Sequence, residues 1–250
     1  MTQIQVAERA PLLDPRPVAH RIGLVALATD HTTEVDFARI LSPQGVGVYV
    51  NRVAYANPVT PERLRAMEPG LAEAASLILP GEELDAVVYG CTSASVVIGE
   101  KAVRAAIRRG KPGVEVITPV SAALDGLRAM GARRISVLTP YTVETSAPMA
   151  ALFEAEGFKI DRFTCLNMSD DRDMARIAPE EIVAFAAKAA APASDALFIS
   201  CTAVRAAGVI DRIEAATGCP VLSSNYAAAW KVLRHLGVQA AATSGHLMML

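Results

Sequence analysis

The chain has 250 residues, of which 52% are hydrophobic and 20% charged, and its formal net charge is −2. That balance belongs to one large globular domain or two small ones, not to a disordered chain. With no Lys/Arg stripe interleaved with aromatics it lacks the electrostatic footprint of a nucleic-acid binder, so a small-molecule partner is expected.

The opening stretch, MTQIQVAERAPLLDPRPVAH, carries acids and prolines where a secretory leader needs a continuous apolar core. It reads as an N-terminal extension over residues 1–19. No later segment reaches the roughly 18 uninterrupted apolar residues of a membrane helix, so no membrane partner and a cytoplasmic location are expected. The first strands predicted are RIGLVALAT (21–29), GVGVYVNRV (45–53), LDAVVYG (84–90) and VEVIT (114–118), all short, rich in Val, Ile and Leu, and bounded by turn residues. Between the second and third, TPERLRAMEPGLAEAASLIL predicts a helix capped by Thr60, with Pro61 at its first position, Glu62 in its first turn and a break at Pro69. The pattern then restarts with RISVLTP (134–140), FKIDRFTCL (158–166), DALFIS (195–200) and PVLSS (220–224), with APEEIVAFAAKAA as a long helix. Alternation of this kind predicts parallel α/β sheets. The last helix, NYAAAWKVLRHLG, is expected to cross back onto the first half.

Sliding the chain by 110 residues without a gap matches Thr29 with Thr139, Thr32 with Thr142, Asn57 with Asn167, Pro69 with Pro179, Asp85 with Asp195, Cys91 with Cys201 and Thr92 with Thr202. An internal duplication follows. It predicts two pseudo-symmetric Rossmann-like lobes, each with a mostly parallel four-stranded sheet: residues 20–120 plus 225–250, and residues 121–224. The matches gather where strands end and loops begin, the edge at which open α/β sheets bind ligands. Two such edges facing each other enclose one cleft with a Cys-Thr pair on either side.

Cys91 in YGCTSAS and Cys201 in ISCTAVR each precede a predicted helix, 92–110 and 202–218. A thiol at a helix start is biased toward thiolate. It can serve as a nucleophile or a carbon base while neighbouring N–H groups and hydroxyls hold a carboxylate, which makes Thr92, Ser93, Thr202 and Ala203 candidate substrate contacts. Cys165 and Cys219 read as small core or turn residues, and with no CxxC pair all four thiols are expected to be reduced. No GxGxxG follows a strand, no GxxxxGK[ST] or HExxH occurs, and the four histidines have no metal-ligand spacing, so neither cofactor nor metal is expected.

YGCTSAS and SCTAVRA, together with LTPYT at 138–142, resemble the aspartate/glutamate/hydantoin racemase superfamily, within it the maleate isomerase and arylmalonate decarboxylase branch. The stretches LVALATDHTTEVDFARIL and TPYTVETSAPM look closest to the ectoine-utilisation proteins of that branch. The resemblance implies a cofactor-independent enzyme whose two lobes place Cys91 and Cys201 on either side of a substrate carbon, with Tyr141, beside Thr142, helping to hold substrate. A homo-oligomer, dimer or tetramer, is expected.

Two positions depart from the maleate isomerase pattern. His31-Thr32-Thr33 stands where Asn-Thr-Thr is usual, and Asp171 stands near the position of an asparagine. An asparagine amide donates to a substrate carboxylate, whereas an ionised aspartate repels it. Asp171, or its neighbour Asp170, suits a substrate bearing an ammonium or amidinium group, as ectoine or a diaminobutyrate derivative does, although an acidic pair here also suits a helix cap. The expected activity is therefore racemisation or isomerisation of a small carboxylate by proton transfer between the two thiols, in ectoine catabolism. Maleate cis-trans isomerisation by thiol addition is the alternative, and a catalytically silent metabolite-binding protein is a further one.

Overall fold

The computed structural model describes residues 2–240 and 245–250, so Met1 of the expected extension and residues 241–244 of the expected C-terminal segment lie outside the described residues. The strands are β1 (His20–Leu27), β2 (Val46–Val53), β3 (Ala86–Tyr89), β4 (Glu115–Ile117), β5 (Arg134–Tyr141), β6 (Lys159–Met168), β7 (Ala196–Ile199) and β8 (Val221–Ser223). They form two four-stranded sheets of the same order, β2-β1-β3-β4 and β6-β5-β7-β8. Every pair is parallel. The central strands are buried along nearly their whole length, which is why they read as continuous apolar runs and not as alternating ones.

The helices that cover these sheets are α1 (Thr33–Leu41), α2 (Pro61–Arg65), α3 (Leu71–Ser76), α4 (Thr92–Ile98), α5 (Glu100–Gly110), α6 (Pro119–Ala129), α7 (Val143–Ala155), α8 (Asp171–Met174), α9 (Pro179–Ala189), α10 (Ile210–Thr217) and α11 (Ser224–Leu236). Thr60 caps α2 by accepting the Arg63 N–H at 3.4 Å. The chain breaks as expected around Pro69, in a single 3-10 turn before α3. α11 packs on α6, α1 and β4, and its His235 meets the Asp85 carbonyl at 3.1 Å.

Asp85 and Asp195 share the repeat spacing of the cysteines but do a different job. Each sits at the entry to its strand, where Asp85 Oδ2 accepts the Arg21 N–H at 2.7 Å and Asp195 Oδ2 accepts those of Arg133 and Arg134 at 2.9 and 2.8 Å. They clip the first strand of each sheet to the third, at the end opposite the thiols.

Two sequence expectations need correcting. The gapless slide of 110 fails on the first strand: Ile22 pairs with Ala86 in one sheet and Ile135 with Ala196 in the other, a shift of 113 on the first strand and 110 on the third. Residues 28–32 separate β1 from α1, whereas Thr142 alone separates β5 from α7, and that longer first loop absorbs the difference. The helices after the cysteines also differ from expectation. Gly99, at φ 92°, splits the first into α4 and α5. No helix starts at Cys201, whose own φ is 95°; turns and a 3-10 segment precede α10. The chain there is drawn toward the other lobe, with Thr202 Oγ1 donating to the Gly90 carbonyl at 3.0 Å and the Thr202 carbonyl accepting from Asn225 at 2.8 Å. Holding a non-glycine residue in that region costs on the order of 1 to 3 kcal/mol and is sustained only by such surrounding contacts.

Candidate active site

The two sheets point their carboxyl ends at one small cavity, lined from the first lobe by Leu27, Asp30, Tyr55, Val59, Leu64, Cys91 and Ser93 and from the second by Tyr141, Asp171, Cys201, Thr202 and Ala203. Seven of the eleven residues singled out from the sequence meet here: Cys91, Ser93, Tyr141, Asp171, Cys201, Thr202 and Ala203. The other four are placed differently. Thr92 is fully buried behind the cavity and donates to Ser224 Oγ at 2.7 Å. Thr32 donates to the Ala203 carbonyl at 2.7 Å, tying the lobes together. Thr142 caps α7. His31 is exposed and does not line the cavity.

Both thiols are nearly sealed from solvent, Cys91 at 4% and Cys201 at 5% exposure. Burial pushes Cys91 up to about 12, against the Ala94 N–H and the Ser93 hydroxyl, which favour its thiolate. Burial likewise pushes Cys201 up to about 11, against the Tyr141 hydroxyl and the N–H groups of Ala203 and Val204. Desolvation outweighs these donors at both sulfurs, against the thiolate bias expected from a helix start. Ser224 Oγ accepts both the Thr92 hydroxyl and the Cys201 N–H, the latter at 3.0 Å, so one side chain braces both cysteine loops.

Asp171 is buried, and each of its carboxylate oxygens accepts one hydrogen bond from the first lobe. The Thr29 hydroxyl donates to Oδ2, Asn57 Nδ2 donates to Oδ1 at 2.6 Å, and Asn57 Oδ1 accepts the Asp171 N–H at 3.1 Å. Asp170 instead caps α8 and pairs with Arg172 at the surface, which holds its carboxyl down at about 2. Asp30 also faces the cavity while accepting the N–H groups of Thr32 and Thr33 at 2.7 and 2.9 Å. Among the described residues no Lys, Arg or His lines the cavity.

Sequence reasoning missed the roof. Tyr55, Val59 and Leu64 come from the segment after β2, held onto the second lobe by the Val59 N–H donating to the Ser169 carbonyl at 2.7 Å and Thr145 Oγ1 donating to the Val59 carbonyl at 3.1 Å. The Tyr55 hydroxyl is buried without a partner among the described residues, and burial raises its phenol well above the usual range. The Asn57 match in the repeat was a signal for this segment. Among the described residues no group of His, Cys, Asp and Glu is arranged to hold a metal ion, and no helix is long and apolar enough to cross a membrane.

Several known proteins are similar to this chain. A maleate isomerase of Nocardia farcinica is 30% identical over 231 residues, covering 88% of this chain and 92% of that protein. The structure of a cysteine-to-serine mutant of Nocardia farcinica maleate cis-trans isomerase, with a covalently bound succinylcysteine intermediate, superposes with a TM-score of 0.84 at 28% identity over 92% of this chain and 98% of that one. An arylmalonate decarboxylase of Bordetella bronchiseptica is 31% identical over 140 residues, 55% of this chain and 58% of that protein. The family model described as arylmalonate decarboxylase matches residues 71–248, which include both cysteine loops. With two parallel α/β lobes closed over a pair of buried thiols, the chain belongs to the arylmalonate decarboxylase family, which takes in the maleate isomerases.

Proposed function

We propose that the protein is a cofactor-independent isomerase that removes a proton from a carbon beside a carboxylate with one of Cys91 and Cys201 and returns one with the other, on a substrate that also carries a cationic nitrogen. The observation that carries this is the charge of the cavity: two thiols from opposite lobes share it with the carboxyl groups of Asp30 and Asp171, and among the described residues no cationic side chain lines it. A dicarboxylate entering there gains no ion pair and meets two like charges. An ammonium or amidinium group gains a charge-assisted hydrogen bond and also favours the thiolate that the chemistry needs, since an opposite charge nearby favours ionisation. Ectoine and diaminobutyrate derivatives belong to this substrate class.

Maleate cis-trans isomerisation is the second reading, favoured by the activity of the Nocardia farcinica relative and by the succinylcysteine in its mutant. There a thiolate adds to an alkene carbon, the former double bond rotates, and the thiolate leaves. One thiol forms the bond, and the other supplies the proton and takes it back.

The test is incubation of the protein with ectoine, 2,4-diaminobutyrate, aspartate and maleate in D2O, followed by NMR. Deuterium entering a carbon-bound position of a cationic compound, together with its isomer, supports the first reading. Conversion of maleate to fumarate with none of the others changing overturns it in favour of the second. Cys91→Ser and Cys201→Ser should each abolish net isomerisation, because serine ionises far above cysteine's usual value of about 8.5.

A further inference from the structure

Among the described residues, the side chains with a buried polar atom and no hydrogen-bond partner are those of Arg21, Tyr55, Ser146, Ser200, Asn225 and Trp230, and of these only Tyr55 lines the cavity. It belongs to the roof. Its neighbours along the chain, Ala54 and Ala56, are exposed and its own side chain is half-buried, yet the hydroxyl at its tip is sealed from solvent. The tyrosine therefore runs inward from the surface and brings its oxygen to the inner side of the roof, where Val59 and Leu64 offer only hydrocarbon. A buried hydroxyl without a partner costs free energy, and native structures keep few of them. We propose that Tyr55 is a substrate-binding residue whose hydroxyl donates a hydrogen bond to the substrate's carboxylate.

The other polar groups of the cavity support this. Among the described residues no cationic side chain lines it, so a carboxylate is held there by neutral donors. Four hydroxyl side chains line it, those of Tyr55, Ser93, Tyr141 and Thr202. The Thr202 hydroxyl is committed to the Gly90 carbonyl at 3.0 Å, and that of Ser93 lies 3.7 Å from the Cys91 sulfur. The nearby carboxylates are engaged as well: Asp171 accepts from the Thr29 hydroxyl and the Asn57 amide, and Asp30 from the N–H groups of Thr32 and Thr33 and the Thr33 hydroxyl.

Burial raises the Tyr55 phenol well above its usual range, so it stays protonated and remains a donor at any ordinary pH. A hydrogen bond to a charged acceptor is stronger than one between neutral groups, and a bound carboxylate thus supplies the partner that the fold withholds. With Tyr55 facing the carboxylate and Asp30 and Asp171 facing a cationic nitrogen, the substrate has one orientation in the cavity. This role rests on the function proposed above only in that the substrate is a small carboxylate.

Tyr55→Phe removes the oxygen and keeps the ring. Calorimetric titration measures the binding of ectoine, 2,4-diaminobutyrate, aspartate and maleate to the protein and to this variant, and melting curves compare the two. Binding of the compound that the protein takes should weaken roughly ten- to a hundredfold, the worth of one hydrogen bond to a charged group. Tm should stay the same or rise, because the fold loses an unpaired polar atom. Where that compound is turned over, the loss should fall on KM with kcat retained, as for a contact made equally in the ground and transition states. A lower Tm in the variant would show that the hydroxyl serves the fold, and equal binding to the two proteins would show that it touches no ligand. Either result overturns the assignment, as does failure of all four compounds to bind the unaltered protein. Weakened binding with no isomerisation of any of the four would leave Tyr55 as a binding residue and remove the isomerase reading; isomerisation with equal binding would do the reverse.

Discussion

Replacing Asp171 with asparagine separates the charge of this side chain from its shape. Its oxygens hold the Thr29 hydroxyl and the Asn57 amide, the latter at 2.6 Å. An asparagine keeps its oxygen toward Asn57 Nδ2 and turns its amide toward Thr29, whose hydroxyl accepts as readily as it donates. The network therefore survives, and stability should change by no more than about 1 kcal/mol, the net worth of one ordinary hydrogen bond. The charge does not survive. Burial is the main reason both thiols resist ionisation, but repulsion from Asp171 adds to it at Cys91 and at Cys201. Asp171→Asn should therefore speed iodoacetamide labelling of both cysteines at pH 8. Toward a cationic substrate the variant loses a charge-assisted hydrogen bond of about 1.5–3 kcal/mol, a fall of roughly ten- to a hundredfold in kcat/KM. Toward maleate kcat/KM should rise, since the new amide can donate where the carboxylate repelled. Unchanged labelling together with unchanged selectivity would show that Asp171 serves only to hold the roof.

Asp36 is buried and pushed up to about 6, chiefly by that burial and against the Asn225 amide that donates to it at 2.9 Å. A raised folded value means that its contribution is complete below about pH 4 and is lost as pH rises through 6. Urea midpoints should fall over that window by the equivalent of roughly 3 kcal/mol, and Asp36→Asn should flatten the fall. Ser224→Ala removes the acceptor shared by the Thr92 hydroxyl and the Cys201 N–H, leaving two buried donors unpaired at about 1–3 kcal/mol each; it should lower Tm and turnover together, whereas a drop in Tm with full turnover would show that the brace does not position the thiols.

The sheets were legible because parallel strands buried on both faces announce themselves as short Val/Ile/Leu runs between turns, and each of the eight is found within a residue or two of its predicted bounds. Cys91 and Cys201 were legible because duplication turns one ambiguous thiol into two in register. Their ionisation was not: the helix start at Cys91 could be seen in the sequence, but its seclusion from water depends on Tyr55, Val59 and Leu64 folding over it from a distant loop. Cys201 shows the same limit in the backbone. Its successors have helical composition, but Thr202 bonds to Gly90 and Asn225 instead of starting a helix, a long-range competition that local propensity does not contain. Asp171 was singled out for its charge, while its bonds to Thr29 and Asn57 could only emerge once the lobes had met.

The two lobes repeat one another, but their thiols are not equivalent, and the difference bears on direction. Cys91 has an extended backbone and receives one N–H and the Ser93 hydroxyl. Cys201 is held at φ 95° by the pull of Thr202 toward the first lobe, and from that conformation it receives the Tyr141 hydroxyl and two N–H groups. Burial raises both thiols, and the larger set of donors favours the thiolate of Cys201 over that of Cys91. When one thiol of the pair ionises, these donors favour Cys201. On the two-thiol chemistry proposed here, Cys201 is then the base that waits for substrate and Cys91 the acid that returns the proton. The strained backbone at Cys201 is the structural origin of that bias: a relaxed residue there would move the N–H groups of Ala203 and Val204 off the sulfur and bring the two thiols closer to parity.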